Sequence, residues 1–181
     1  MTAQIIDGAA IAAQVRAEVA ERTSQLRERG VTPGLAAILV GDHAPSISYV
    51  TAKAKACEEV GIFSETFHLA AETSQAELVE LVHQLNADPR FHAILPQLPV
   101  PAQIDERAYV DAIDPEKDAD GLHPVNLGRL LRGETAGAIP ATPHGVLELL
   151  ARVPYQTWER AAYRAVTKLS WRTTRGAPPK S

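Results

Sequence analysis

Two short apolar runs, Leu35-Ala-Ala-Ile-Leu-Val40 and Phe91-His-Ala-Ile-Leu95, lack the in/out alternation of a half-solvated strand. An unbroken apolar run of strand length suits a strand covered on both faces, as in a sheet held between layers of helices. Between the runs the period changes. Residues 8–29 place Ile11, Val15, Val19 and Leu26 at helical spacing and stop at Gly30, a natural C-terminal cap. A second helix is predicted over about 46–60, ending at Gly61, followed by a strand around 62–69. Ser74 and Glu77 form a capping box, opening a helix that carries Leu78, Leu81, Val82 and Leu85 on one stripe and stops at Asp88-Pro89. Beyond the second apolar run the pattern predicts a helix at 104–112, a loop rich in Asp, Pro and Gly to about 124, and a helix starting near Thr142-Pro143. Helices alternating with short continuous strands predict an α/β fold of three layers, a mostly parallel sheet flanked by helices.

Charge sets a boundary on this pattern. The 181 residues carry a net charge of −4, but residues 1–150 hold 11 Lys and Arg against 21 Asp and Glu, whereas residues 151–181 hold 7 against the single Glu159. Both tryptophans, Trp158 and Trp171, also fall in the last stretch. A domain over 1–150 and an unlike basic tail over 151–181 are therefore expected, the tail being either the product of a shifted reading frame or a genuine, mostly disordered extension. It contains no recognisable nucleic-acid module, so no nucleic-acid partner is predicted. The lone Cys57 excludes a disulfide framework and a cysteine-based zinc site. No apolar stretch approaches the ~18 residues of a membrane span, and the first residues lack the features of a secretory signal, which makes the cytoplasm the default expectation.

Within the predicted second helix, Ser46, Tyr49 and Lys53 fall in one narrow sector beside the apolar Val50, Ala54 and Cys57, while Lys55, Glu58 and Glu59 lie opposite. Lys53 is thus turned toward the apolar face and Lys55 toward water. Withdrawal from water disfavours the charged form of a lysine and suits it to proton transfer. Such a Tyr/Lys pair is, however, more often a packed ring and a snorkelling amine. Gln97, on a backbone stiffened by Pro96, Pro99 and Pro101, is a polar group at a strand end, cheap to use for orienting a substrate or a neighbouring lysine. The segment Asp118-Ala-Asp120-Gly-Leu-His123-Pro-Val-Asn126 reads either as a solvated Asp/Gly turn or as a site. It is not a calcium loop, because the frame that fits its acidic residues puts Leu127 where a bidentate Glu is needed. The histidines show neither H-x-x-x-H nor H-E-x-x-H spacing, so no metal site is predicted. The glycines form neither G-x-G-x-x-G nor a P-loop, and no G-x-S-x-G elbow exists.

Taken together, Ile5-Ile-Asp-Gly8, Val40-Gly41, the Ser46 to Gly61 segment, Ile94-Leu-x-Gln97-Leu-Pro99, the Asp114 to Leu130 segment and Thr142-Pro-x-Gly145 resemble the bifunctional methylenetetrahydrofolate dehydrogenase/methenyltetrahydrofolate cyclohydrolase family, called FolD. The resemblance implies that Tyr49 and Lys53 line a folate site, that Lys53 takes part in proton transfer, that Gln97 supports it, that Asp120 holds the pterin, and that Ser46 neighbours the same site. It implies an enzyme of one-carbon metabolism acting on tetrahydrofolate derivatives: oxidation of methylenetetrahydrofolate by NADP, then hydrolysis of the methenyl form to 10-formyltetrahydrofolate. Members of the family continue past the point matching residue 150 into a Rossmann-type nucleotide domain, and commonly dimerise through it. That domain has no counterpart here, so no cofactor-binding residues are assigned, and no NADP-dependent dehydrogenase activity is expected of this chain alone. Cyclohydrolysis is expected to be weak or nil in a cleft lacking one wall. The alternative is a folate-binding fragment without catalysis. The Tyr49-x-x-x-Lys53 spacing also matches the pair of short-chain dehydrogenases, but only 48 residues without a glycine-rich nucleotide loop precede Tyr49.

Overall fold

The computed structural model describes residues 5–134 and 136–153, so the expectations for the basic tail fall outside the described residues from 154 onward. In chain order the elements are α1 (Gly8–Glu28), β1 (Gly34–Val40), α2 (Ala44–Glu59), β2 (Phe63–Leu69), α3 (Gln75–Ala87), β3 (Ala93–Pro96), α4 (Glu106–Asp111), α5 (Pro124–Leu131) and α6 (Ala141–Ala151). The three strands form a parallel sheet in the order β2-β1-β3. The central strand explains the unalternated run. Ala36, Ile38 and Val40 face a core completed by Leu78, Val82 and Leu85 of α3, Phe91, Ile94, Ile104, Tyr109 and Ile113. Ala37 and Leu39 point the other way, onto Val50 of α2 and Leu95 of β3. Each face of β1 meets helices, so every position is apolar and three layers result.

The local signals act as their chemistry dictates. Ser74 Oγ accepts from Glu77 N at 3.3 Å while Glu77 Oε2 accepts from Ser74 N at 2.9 Å, closing the predicted capping box. Gly30 takes φ +79° just past α1. The helix α5, in a stretch for which the sequence pattern predicts no element, starts where His123 Nδ1 accepts from Val125 N at 3.1 Å and Pro124 occupies its first turn. Proline there gives up only a donor that a helix start leaves free anyway.

Beyond β3 the sheet gains a short addition. Ile94 pairs in parallel with Asp118, through Ile94 N to Lys117 O at 2.6 Å and Ala119 N to Ile94 O at 3.1 Å. The chain then leaves the sheet at Asp120, whose carbonyl accepts from Ala141 N at 3.1 Å at the start of α6. The far end of α6 is tied to α1 by Arg152, which donates to both oxygens of Glu18, at 2.7 and 2.9 Å.

Candidate active site

In a parallel sheet every strand ends on the same edge, and the loops leaving that edge converge. Here β1 ends at Val40 and feeds α2, β3 ends at Pro96 and feeds Gln97, and the short 117–119 addition feeds Asp120. Three segments distant in sequence thus deliver Lys53, Gln97 and Asp120 to one place.

The helical period of α2 sets the first group. Lys53 is half-buried while Lys55 is exposed, as the spacing predicts. Lys53 Nζ approaches Gln97 Oε1 at 3.5 Å, a long hydrogen bond across 44 residues. Two contacts orient the glutamine: its backbone N donates to Ile38 O at 3.0 Å, continuing the β1 ladder, and its Nε2 donates to Leu98 O at 2.7 Å. With Nε2 so engaged, Oε1 is left to face the lysine. Tyr49 is 63% exposed, one turn outward of Lys53, and its ring is open to a flat ligand. Ser46 differs from the other predicted residues: it is 1% exposed, and its Oγ lies 3.0 Å from His43 Nδ1. Its hydroxyl therefore serves the start of α2.

The Asp118 to Asn126 segment divides into two roles that the sequence does not separate. Asp118, 4% exposed, accepts from Gly121 N at 3.0 Å, His123 N at 2.9 Å and Asn126 Nδ2 at 3.0 Å. Asn126, equally buried, also donates to Pro115 O at 2.8 Å. A buried carboxylate with three donors is a satisfied structural hub. It fixes the turn that presents Asp120. Burial pushes the Asp120 carboxyl above the ordinary carboxylate range; the positive charge of Lys53 pulls it back, and the neighbouring Asp118 pushes it up again. Asp120 thus senses the charge of Lys53, the same lysine that approaches Gln97. Gly121 makes the turn possible: its φ is +69°, and a Cβ there would meet the backbone of Ile139 and Pro140.

Asp118 and Gly121 escaped assignment as supports because a turn signal and a site signal use the same residues. The signal available in the sequence is Asn126, a polar residue between the apolar Val125 and Leu127. Two concavities lie elsewhere, about 670 Å³ between α1 and α6 and about 540 Å³ between Arg27, Lys55 and Phe63. Neither includes Lys53, Gln97 or Asp120, which stand on the open edge of the sheet. Among the described residues no group of three or more His, Cys, Asp or Glu is placed to hold a metal ion, and no helix is long and apolar enough to cross a membrane.

A lysine, an amide and a partly buried carboxylate thus meet at the carboxyl edge of a parallel sheet in an α/β domain. The chain belongs to the tetrahydrofolate dehydrogenase/cyclohydrolase family, whose catalytic-domain model matches residues 6–120. It is 52% identical over 148 residues to the bifunctional protein FolD of Geotalea uraniireducens, covering 82% of this chain and 52% of the relative. Against the FolD of Moorella thermoacetica it is 54% identical over 152 residues, covering 84% and 54%. The chain spans about half the length of the curated relatives it matches. Among solved structures it resembles the FolD methylenetetrahydrofolate dehydrogenase/cyclohydrolase of Campylobacter jejuni, with TM-score 0.80 and 43% identity over 82% of this chain and 52% of that one. The Trypanosoma brucei methylenetetrahydrofolate dehydrogenase-cyclohydrolase, solved with NADP cofactor and an inhibitor, matches with TM-score 0.79 and 39% identity over 83% and 52%.

Proposed function

We propose that this domain binds a one-carbon derivative of tetrahydrofolate and supplies the acid/base groups for opening the methenyl bridge by water. The observation that carries the reading is the approach of Lys53 Nζ to Gln97 Oε1 beside the partly buried Asp120. The Asp120 carboxylate accepts from the amino and ring N–H groups of a pterin. Tyr49 stacks on the aminobenzoyl ring, a contact its exposure permits. In hydrolysis, water adds to the methenyl carbon between N5 and N10, and Lys53 in its free-amine form accepts the proton that the water loses. The same amine returns that proton to N5 as the bond from carbon to N5 breaks, while the hydroxyl on the carbon gives its remaining proton to solvent and becomes the oxygen of the formyl group left on N10. Gln97 holds the amine in line through both transfers.

In the dehydrogenase reaction of FolD proteins a bound NADP would supply the hydride acceptor. Residues 5–153 contain no glycine-rich phosphate cradle, so they do not fit that nucleotide, and no step is assigned to it here. A homodimer and a cytoplasmic location remain part of the proposal for the whole protein. The test is direct. Titration of the 181-residue chain with 5,10-methenyltetrahydrofolate should show saturable binding that Asp120→Asn weakens about tenfold or more. Lys53→Met should keep binding within about threefold while removing any hydrolysis above the buffer rate, followed as loss of the methenyl chromophore. Binding with no hydrolysis in the wild type would leave a folate binder, and absence of binding overturns the reading.

A further inference from the structure

Along α2 the polar groups of the site form one row. His43, Ser46, Tyr49 and Lys53 are spaced by three, three and four residues, so they stack on a single helical face. At 1.5 Å per residue the row extends about 15 Å from Lys53 to the His43 end. Lys53, Gln97 and Asp120 hold the inner end, and exposed Tyr49 holds the middle. At the outer end, His43 is exposed, its Nδ1 lies 3.0 Å from Ser46 Oγ, and its Nε2 has no partner among the described residues.

The Ser46 hydroxyl accommodates either ring tautomer, and one of the two arms Nε2 as a donor. When the buried Ser46 hydroxyl donates to Nδ1, the ring proton sits on Nε2, which becomes an N–H donor open to solvent. The acidic neighbour Asp42 has its Oδ1 3.2 Å from His68 Nε2, and the same nitrogen lies 3.0 Å from Gly41 O. A folate laid along this row, pterin inward and arene over Tyr49, brings its glutamyl carboxylates to the His43 end.

We propose that His43 is a specificity residue for the outer part of the ligand: its Nε2–H, oriented by Ser46, donates to a carboxylate of the glutamyl group. The inference rests on the folate reading above. Two probes separate them, tetrahydrofolate and tetrahydropteroate, which differ only in that glutamyl group. Calorimetry on the 181-residue chain should show tetrahydrofolate bound about fivefold more tightly than tetrahydropteroate. His43→Ala should erase that preference and leave tetrahydropteroate affinity unchanged, with a fall of a few degrees in the unfolding midpoint because the buried Ser46 hydroxyl loses its partner. Ser46→Ala, which removes the hydroxyl beside Nδ1, should reduce the preference. Equal affinities in the wild type, equal weakening of both ligands in His43→Ala, or no change in either overturns the role of His43. If the wild type binds neither, the folate reading itself fails and this inference falls with it.

Discussion

The first turns of α2 and the turn from Asp118 to Asn126 both serve the site, yet they position their groups by opposite means. On α2 the helix alone sets the geometry: once Lys53 is on the buried edge, Tyr49 and Ser46 follow from the period. In the turn, no local rule places Asp120. It stands where it does because Asp118, two residues earlier, is bound by three donors and pinned beside Ile94 of β3. A helix side chain is therefore replaceable without loss of the scaffold, whereas the turn collapses with its hub.

That contrast is open to attack by mutation, starting with the largest effect. Lys53→Met should lower methenyl hydrolysis by about 10²- to 10⁴-fold, the usual worth of a positioned acid/base group. Because Lys53 is only half-buried on a rigid helix, the melting temperature should barely move. A fall of many degrees would show that α2 needs its lysine for folding, and the contrast would break. Asp118→Ala should do the reverse. Stripping three buried donors of their acceptor costs about 3 kcal/mol, visible as a drop of roughly 6–12 °C in the unfolding midpoint. Folate binding should decline with it, although Asp118 touches no ligand. Gly121→Ala should cost about 2 kcal/mol, since a side chain must enter the left-handed region and displace the backbone of Ile139 and Pro140. Calorimetric melting of the two turn variants gives their order.

The smallest effect has the opposite sign. The Asp120 carboxyl titrates above its ordinary range in the folded domain, so its contribution to stability is complete below the unfolded-state value of about 4 and is lost as pH rises through the folded one. At neutral pH the ionised group therefore costs stability. Asp120→Asn should raise the midpoint slightly there, by less than about 3 °C, and the gain should vanish in acid. A stabilising variant that also loses the ligand would mark Asp120 as a group kept for function. Equal midpoints at both pH values would sink that interpretation.

Much of this was legible beforehand for identifiable reasons. The run Leu35–Val40 announced a strand buried on both faces, and the two cores on either side of β1 are its physical cause. The capping box at Ser74, the stop at Gly30 and the inward Lys53 follow from local chemistry that operates in any context. Helix α5 was missed because Gly128 interrupts a short amphipathic pattern and its cap is a histidine, an uncommon choice. Ser46 shared the helical face of Lys53 but turned out to serve His43, since position along a helix says nothing about what covers a residue.

The sequence by itself determined the class of fold, the helical row that carries Tyr49 and Lys53, and the family, because these depend on periodicity and on residue types at fixed spacing. Only the tertiary structure decided which carboxylate of the Asp118/Asp120 pair is buried in a hydrogen-bonded hub and which faces Lys53. It also decided that the amide of Gln97 turns its oxygen to the lysine. Both outcomes depend on hydrogen bonds between segments tens of residues apart, and such bonds exist only once the parallel sheet has brought its strand ends to one edge.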